Sequence, residues 1–236
     1  MKKRIWELDA LRGICILGMV LLHLTYDLIQ VFRVWNPEDP WLYNFGMDWC
    51  GIIFFLLSGT SATLGSHPVK RGLQVFGGGM LCTAATLLCY LLGFLPKSII
   101  IYFGVLHSLG TCMLLWALFR KLPRPALGIL GVAIIALGLY LRTQTVSHPY
   151  LILFGLCPGN FSSSDYFPIL PNLGYFLVGV ALGGLLYRKK TTLLPRVKED
   201  FFLLRFFRFC GRHSLAIYLI HQPVLYGLLY VILFLF

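Results

Sequence analysis

The stretch "LDALRGICILGMVLLHLTYD", residues 8–27, decides the fold class of this chain. It has the roughly 20 residues that a helix needs to cross the hydrocarbon core of a bilayer. Asp9, Arg12, His23 and Asp27 nevertheless lie within it. Ionisable groups inside a membrane are costly and normally face a protein interior or a watery cavity. The stretch therefore predicts a membrane-spanning helix with one functional face.

The composition extends this prediction to the whole chain. The 236 residues are 58% hydrophobic and 12% charged, with a mean hydropathy of +0.80, far from a soluble domain. Only helices and closed barrels span lipid, and no segment alternates with period two. We predict an all-α integral membrane protein, a single bundle of about seven transmembrane helices forming one domain over 1–236. The predicted spans are about 9–32, 46–65, 72–95, 98–119, 125–142, 171–187 and 213–235.

The placement of basic residues predicts the orientation. Of the Lys and Arg residues outside the spans, sixteen fall on one side of the predicted topology and three on the other. The positive-inside rule then makes the N-terminus cytoplasmic and the C-terminus external, in a multi-pass protein of the cell membrane. The net charge of +11 is therefore attributed to topology, and no nucleic-acid partner is expected. The basic, aromatic segment 188–212 predicts an amphipathic helix on an anionic leaflet, or a contribution to a ligand site.

The cysteines carry no chemical signal. There are seven of them, most lie inside predicted spans, and none forms a CxxC pair or a Cys/His ligand pattern. We expect neither a disulfide framework nor a metal site.

The four ionisable residues of the first helix share one stripe. Arg12 and His23 differ by about 20° in azimuth and roughly 16 Å in height. Arg12 near the cytosolic face suits a phosphate, and His23 in the outer half suits a general base. Asp27, four residues on, is expected to accept the other ring N–H of His23. The alternative is a buried polar network that only ties the helix to its neighbours.

Further polar residues lie in or beside other spans. Tyr218, His221 and Gln222 form a one-sided polar stripe in the last span, where packing or hydrogen bonding is the alternative role. His107 enters the membrane to a depth near that of His23, and Asp48 lies at the outer interface as a potential substrate contact. Basic residues beside helix N-termini on the cytosolic side suit a phosphorylated ligand. Those retained as candidates are Arg12, Arg71 and Arg212.

Five dispersed motifs resemble a known family. They are "RIWELDALRGICILGMVLLH", "FFLLSGTSA", "YFGVLHSLG", "DYFPILPNLGYFLVGVALG" and "HSLAIYLIHQPVL". Together, and in this order, they resemble the small prokaryotic proteins with a heparan-α-glucosaminide N-acetyltransferase catalytic domain. In the first motif, ten residues separate Arg12 from His23. This spacing also looks like the signature of acyltransferase family 3. Both belong to the transmembrane acyltransferases.

The resemblance implies an activity and its partners. It implies acetyl transfer from cytosolic acetyl-CoA to an amine or hydroxyl of a sugar or glycan acceptor outside the membrane. The resemblance implies that Arg12 holds the CoA end and that His23 serves the acyl transfer as catalytic base. From position and chemistry, we add Arg71 and Arg212 as donor-binding residues and Asp27 as support for His23. For the substrate, we expect His107 and Asp165 to shape the acceptor side and Asp48 to contact it at the outer interface. The substrate-binding residues expected to line the core are Tyr218, His221 and Gln222. Direct transfer in a ternary complex is preferred over an acetyl-histidine intermediate, no metal is needed, and a homodimer is a possible assembly.

Two other classes fit some of these features. A small-solute or proton-coupled transporter also lines its path with intramembrane polar residues, but no inverted repeat is detectable here. A b-type haem or quinone protein would use two of His23, His107 and His221 as axial ligands. Solute transport without CoA dependence would favour the first, and a Soret band the second.

Overall fold

The computed structural model describes residues 5–36, 41–197 and 201–234. Within these ranges, the protein consists of helices and the loops that connect them. Six of the helical segments are long and apolar enough to cross a membrane. The predicted all-α membrane fold is therefore confirmed, while the orientation of the termini stays a prediction. The helices are α1 Trp6–Tyr26, α2 Trp41–Ala62, α3 Pro68–Leu91, α4 Val105–Phe119, α5 Arg124–Leu141, α6 Ile169–Leu186, α7 Phe202–Arg212 and α8 Ser214–Phe234.

The first span continues beyond α1 through a short π-helical segment, Asp27–Val31. Its wide turn is closed by the amide of Phe32, which donates to the carbonyl of Asp27 at 2.8 Å. Together the two segments form one 26-residue apolar stretch, Trp6–Val31. Short π segments often occur at functional sites, and here the segment begins at Asp27, one of the four ionisable residues of the stripe.

The fourth span differs from its prediction of 98–119. A 3₁₀ turn, Lys97–Ile99, precedes an extended connection, and α4 begins only at Val105 and has 15 residues. At 1.5 Å per residue this is about 22 Å, less than the roughly 30 Å hydrocarbon core. The connection is irregular because neighbouring loop side chains bind its carbonyls: Ser163 donates to Ile100 at 2.9 Å and Ser164 to Ile99 at 2.8 Å.

Packing divides the chain into two compact units, residues 1–54 with 191–236 and residues 55–190. The first, termed the α1 unit, contains α1, α7 and α8, with α1 packed on both others. The second, termed the α3–α6 unit, pairs α3 with α4 and α5 with α6, and α4 also contacts α6. The prediction of one domain over 1–236 stays a prediction.

The helix α7 crosses α1 at very close range. A Cβ atom added to Gly13 would lie 1.9 Å from the carbonyl oxygen of Phe207, and one added to Gly211 would lie 1.7 Å from that of Asp9. Only glycine permits such an approach of two helix backbones. The opposite face of α7 exposes Phe202, Phe206 and Phe209. The amphipathic helix predicted within 188–212 is therefore present, and the crossing positions its last residue, Arg212, beside α1.

Candidate active site

The N-terminal end of the predicted stripe is organised around one buried carboxylate, Asp9. One of its oxygens lies 3.4 Å from Nη1 of Arg12, one turn along α1. The other lies 3.5 Å from Nε of Arg212, at the end of α7. Two guanidinium groups around one carboxylate carry a net charge of +1. The crossing of α1 and α7 thus brings two of the three predicted donor-binding arginines together in a local excess of positive charge, which suits an anionic ligand.

The third arginine, Arg71, belongs to the α3–α6 unit. It is exposed in the first turn of α3, and its guanidinium lies near Gly65, within 3.9 Å of where a Cβ atom on that glycine would be. Its predicted contact with the donor stays a prediction.

The hydrogen bonding of His23 defines its tautomer. Its Nδ1 lies 2.9 Å from the carbonyl oxygen of Met19, one turn earlier in α1. A carbonyl oxygen only accepts hydrogen bonds, so Nδ1 carries the proton and the neutral ring keeps its lone pair on Nε2. Asp27, the predicted partner of a ring N–H of His23, does not bind this one. The backbone of α1 does so instead, because helical geometry places the i−4 carbonyl within reach of the ring.

The carboxylate of Asp27 is held from the last helix. This side chain is fully buried at 0% exposure, and its Oδ1 accepts a 2.7 Å hydrogen bond from Nε2 of Gln222 in α8. The hydrogen bond also orients the amide of Gln222, since only the nitrogen can donate to a carboxylate. Asp27 and Gln222, predicted separately from the two ends of the chain, are therefore direct partners.

A second imidazole completes this group of residues, the α1–α8 cluster, which comprises His23, Asp27, Tyr218, His221 and Gln222. Nδ1 of His221 donates to the carbonyl of Tyr218 at 2.6 Å. The rings of His221 and His23 meet edge to face, with centroids 4.9 Å apart and planes at 82°. The ring of Tyr218 lies 5.5 Å from that of His221. At 4.9 Å the two imidazoles are too close to bind a haem iron from opposite faces.

Three buried polar atoms of this cluster have no hydrogen-bond partner among the described residues. They are Oδ2 of Asp27, Nε2 of His221 and Oε1 of Gln222. With the tautomer and amide orientation deduced above, all three are acceptors. A buried acceptor left without a donor costs about 1–3 kcal/mol, and buried polar groups are normally paired. The cluster therefore has an excess of acceptors and is suited to bind a group rich in N–H or O–H donors.

His107 and Asp165 lie in the α3–α6 unit, at the start of α4. His107 is buried at 2% exposure, and its Nδ1 accepts the amide N–H of Gly104 at 3.2 Å. Its Nε2 lies 3.4 Å from Oγ1 of Thr83, whose own proton is donated to the carbonyl of Ile101 at 2.6 Å. Asp165 accepts the amide N–H of Val105 at 3.2 Å. Both residues thus anchor the first turn of α4, where helix amides otherwise lack partners. Their acceptor-side roles are untested, and for His107, whose two ring nitrogens both have partners, we expect a structural role instead.

The loop between α5 and α6 contains a protonated tyrosine. The hydroxyl of Tyr166 donates to the carbonyl of Ile152 and accepts the thiol of Cys157 at 3.2 Å. Burial, reinforced by Cys157, raises the pKa of Tyr166 above its ordinary value. This hydroxyl therefore stays protonated at neutral pH and is unsuited to act as a base.

The sequence-predicted residues thus fall into separate groups. The α1 unit brings together Arg12 with Arg212, and His23 and Asp27 with Tyr218, His221 and Gln222. The side chain of Asp48, in α2, lies outside the described residues. Sequence reasoning missed the pairing of Asp27 with Gln222 and the role of Asp9 as a shared partner of two arginines, because both depend on contacts between helices. Among the described residues, no group of three or more His, Cys, Asp or Glu is arranged to hold a metal ion.

The fold is that of a helical membrane protein, and the α1–α8 cluster places two imidazoles together with a buried carboxylate. In a comparison with protein families, the family described as heparan-alpha-glucosaminide N-acetyltransferase, catalytic, matches residues 4–223. The chain therefore belongs to this family of membrane N-acetyltransferases, and the resemblance noted from its motifs is confirmed. No curated protein and no solved structure matches the chain.

Proposed function

We propose that this protein transfers an acetyl group from cytosolic acetyl-CoA to an amine or hydroxyl of a sugar or glycan outside the cell membrane. The observation that carries the proposal is the locked tautomer of His23. Its Nδ1–H is bound to the carbonyl of Met19, which leaves Nε2 as a base beside the unpaired acceptors of Asp27, His221 and Gln222. The family match over residues 4–223 supplies the reaction class.

The donor is proposed to enter along α1. Its phosphates would bind at Arg12 and Arg212, whose shared carboxylate leaves a net positive charge. About 16 Å separates Arg12 from His23 along the helix axis. A long, thin donor such as acetyl-CoA can extend over this distance, with phosphates at one end and the thioester at the other.

The chemistry needs one proton transfer cycle. Nε2 of His23 accepts the proton of the acceptor N–H or O–H as the acceptor atom attacks the thioester carbon. The new C–N or C–O bond forms, the C–S bond breaks, and the thiolate leaves with the proton that His23 has taken. The negative charge of Asp27, one turn further along, stabilises the imidazolium that exists between these events. The products are the acetylated acceptor and CoA, without a covalent intermediate on the protein.

The test is calorimetric binding of acetyl-CoA to the detergent-purified chain, with Arg12→Ala and Lys189→Ala compared. Lys189 is exposed and predicted on the same side of the membrane, so its variant loses the same charge away from the cluster. We expect saturable binding that Arg12→Ala weakens about tenfold, as befits a phosphate contact worth about 1.4 kcal/mol. Lys189→Ala should bind within about twofold of the original chain. No binding by the folded chain at about 1 mM would overturn the proposal.

A further inference from the structure

We propose that His221 is a second catalytic base, used together with His23 when the acceptor is an amine. The inference rests on the proposed function and adds a chemical role for His221. It begins from the geometry of the two rings, which meet edge to face with centroids 4.9 Å apart. Each ring binds a backbone carbonyl of its own helix through Nδ1, His23 to Met19 and His221 to Tyr218.

This arrangement gives both imidazoles the same tautomer. Because each Nδ1 must be protonated to donate to a carbonyl, each Nε2 carries a lone pair. Nε2 of His221 is buried and has no hydrogen-bond partner among the described residues. Histidines that serve only packing normally have both ring nitrogens engaged when they are buried. A second base therefore lies beside the first, with its basic atom unoccupied by protein groups.

Amine acetylation explains a need for two bases. An amino-sugar amine, with a pKa of about 8, arrives mainly as an ammonium ion at neutral pH. It must lose one proton before it can attack, and the attacking nitrogen must lose a second as the amide forms. The second proton leaves on the thiolate through His23. The cycle of His23 does not remove the first proton, so another base must take it.

The lone pair of His221 Nε2 is suited to take that first proton. The ammonium would donate to the unpaired acceptors of the cluster, transfer a proton to Nε2 of His221, and then attack the thioester as the free amine. The overall reaction converts the ammonium and acetyl-CoA into the amide, CoA and one proton released from His221 to solvent. A hydroxyl acceptor carries no extra proton, so its acetylation needs His23 alone.

The ionisable groups around His221 are few in the described part of the chain. His23 contacts its ring from α1, Tyr218 lies beside it on α8, and Asp27, in the π-helical segment, is bound to the neighbouring Gln222. From α7, Arg212 lies near the start of α8 and is engaged with Asp9. We therefore expect the loss of His221 to slow the deprotonation of the acceptor amine. The dependence of the reaction rate on pH measures this effect.

The experiment measures acetyl transfer from acetyl-CoA to D-glucosamine between about pH 6 and pH 9, which spans the pKa expected for the amine. The chains compared are the original, His221→Gln and, as matched control, His213→Gln at an exposed position. We expect His221→Gln to lower kcat/KM about a hundredfold at the acid end. The deficit should shrink to a few-fold at the alkaline end, where the amine is already neutral, and the control should follow the original chain throughout.

The outcomes separate the two proposals. A deficit that is equal at all pH values would show a merely structural role for His221, and no deficit would remove any role, with the acyltransferase function intact in both cases. An original chain that binds acetyl-CoA but does not acetylate D-glucosamine would overturn this inference alone, and an original chain that does not bind acetyl-CoA would overturn the proposed function with it.

A measurement on the original chain guards against a variant that fails to fold. In protein labelled with ¹⁵N on its six histidines, D-glucosamine at neutral pH should move the Nε2 resonance of His221 toward that of a protonated nitrogen. Single His→Gln variants at the other five positions assign the signal by elimination. An Nε2 resonance unchanged at saturating acceptor would overturn the inference.

Discussion

Two buried histidines of this protein, His221 and His107, have similar surroundings and opposite hydrogen-bonding states. Their exposures are 9% and 2%, and each belongs to a group of residues that contains a buried carboxylate, Asp27 or Asp165. Both ring nitrogens of His107 have partners, Gly104 and Thr83. His221 engages only Nδ1, and its Nε2 is unpaired among the described residues. Burial alone therefore does not mark a catalytic histidine. Under our proposals, the unused hydrogen-bonding capacity of the ring does.

The contrast extends to the carboxylates. Asp165 accepts the first-turn amide of Val105 and so stabilises the start of α4. Asp27 uses one oxygen for Gln222 and leaves the other buried without a partner. One network is complete and contributes to stability. The other carries an unpaired buried carboxylate oxygen, which costs stability and is retained, in our account, because the substrate supplies the missing donors.

The largest expected effect is on catalysis at His23. We expect His23→Gln to lower kcat for acetyl transfer about a thousandfold, because the general base is lost. The midpoint of thermal unfolding should move by no more than about 2 °C, since the half-buried ring makes one hydrogen bond to its own helix. Stopped-time assays and unfolding in detergent measure the two quantities, with exposed His148→Gln as control. A variant that keeps most of its activity would remove His23 from the chemistry.

The next effect is on stability at His107. We expect His107→Ala to lower the free energy of unfolding by about 3 kcal/mol, because a packed ring and two hydrogen bonds are lost together. Activity per folded molecule should stay within about threefold of the original chain. Thermal unfolding and active-fraction assays check this. Unchanged stability with abolished activity would instead place His107 in the acceptor site.

A smaller effect of opposite sign is expected at Asp27. Asp27→Asn keeps an oxygen to accept from Gln222 and removes a buried charge, so the free energy of unfolding should rise by about 1 kcal/mol. Activity should fall about tenfold to a hundredfold, because a neutral amide no longer stabilises the imidazolium of His23. Unfolding midpoints and kcat are measured together, with Asp165→Asn for comparison. A fall in stability would indicate that Asp27 serves the fold.

The smallest effect is expected at Thr83. Thr83→Val removes a hydroxyl that lies within hydrogen-bonding distance of His107 and donates to Ile101, so it should cost about 1 kcal/mol of stability without lowering activity per folded molecule. The exposed Thr143→Val serves as control. If the loss were absent in a His107→Ala background, the two residues would be coupled as the structure indicates. Full additivity would contradict that coupling.

The sequence predicts the fold class and much of the site for physical reasons that act locally. Span length and hydropathy identify the membrane helices, and helical periodicity places Arg12, His23 and Asp27 on one face. Local patterns fail where partners come from distant segments. The late start of α4 depends on Ser163 and Ser164, and the carboxylate of Asp27 pairs with Gln222 in the last helix. The glycines at 13 and 211 mark close packing, yet only the structure shows that they face each other.

The most direct test of the central claim is the rate of acetyl transfer per folded molecule, measured side by side for His23→Gln and His107→Gln. The α1–α8 cluster is predicted to be the catalytic centre, so His23→Gln should lose about a thousandfold and His107→Gln less than about threefold. Folded protein is counted in each case by size-exclusion chromatography. The reverse order, or equal losses in both variants, would contradict the assignment of catalysis to the cluster.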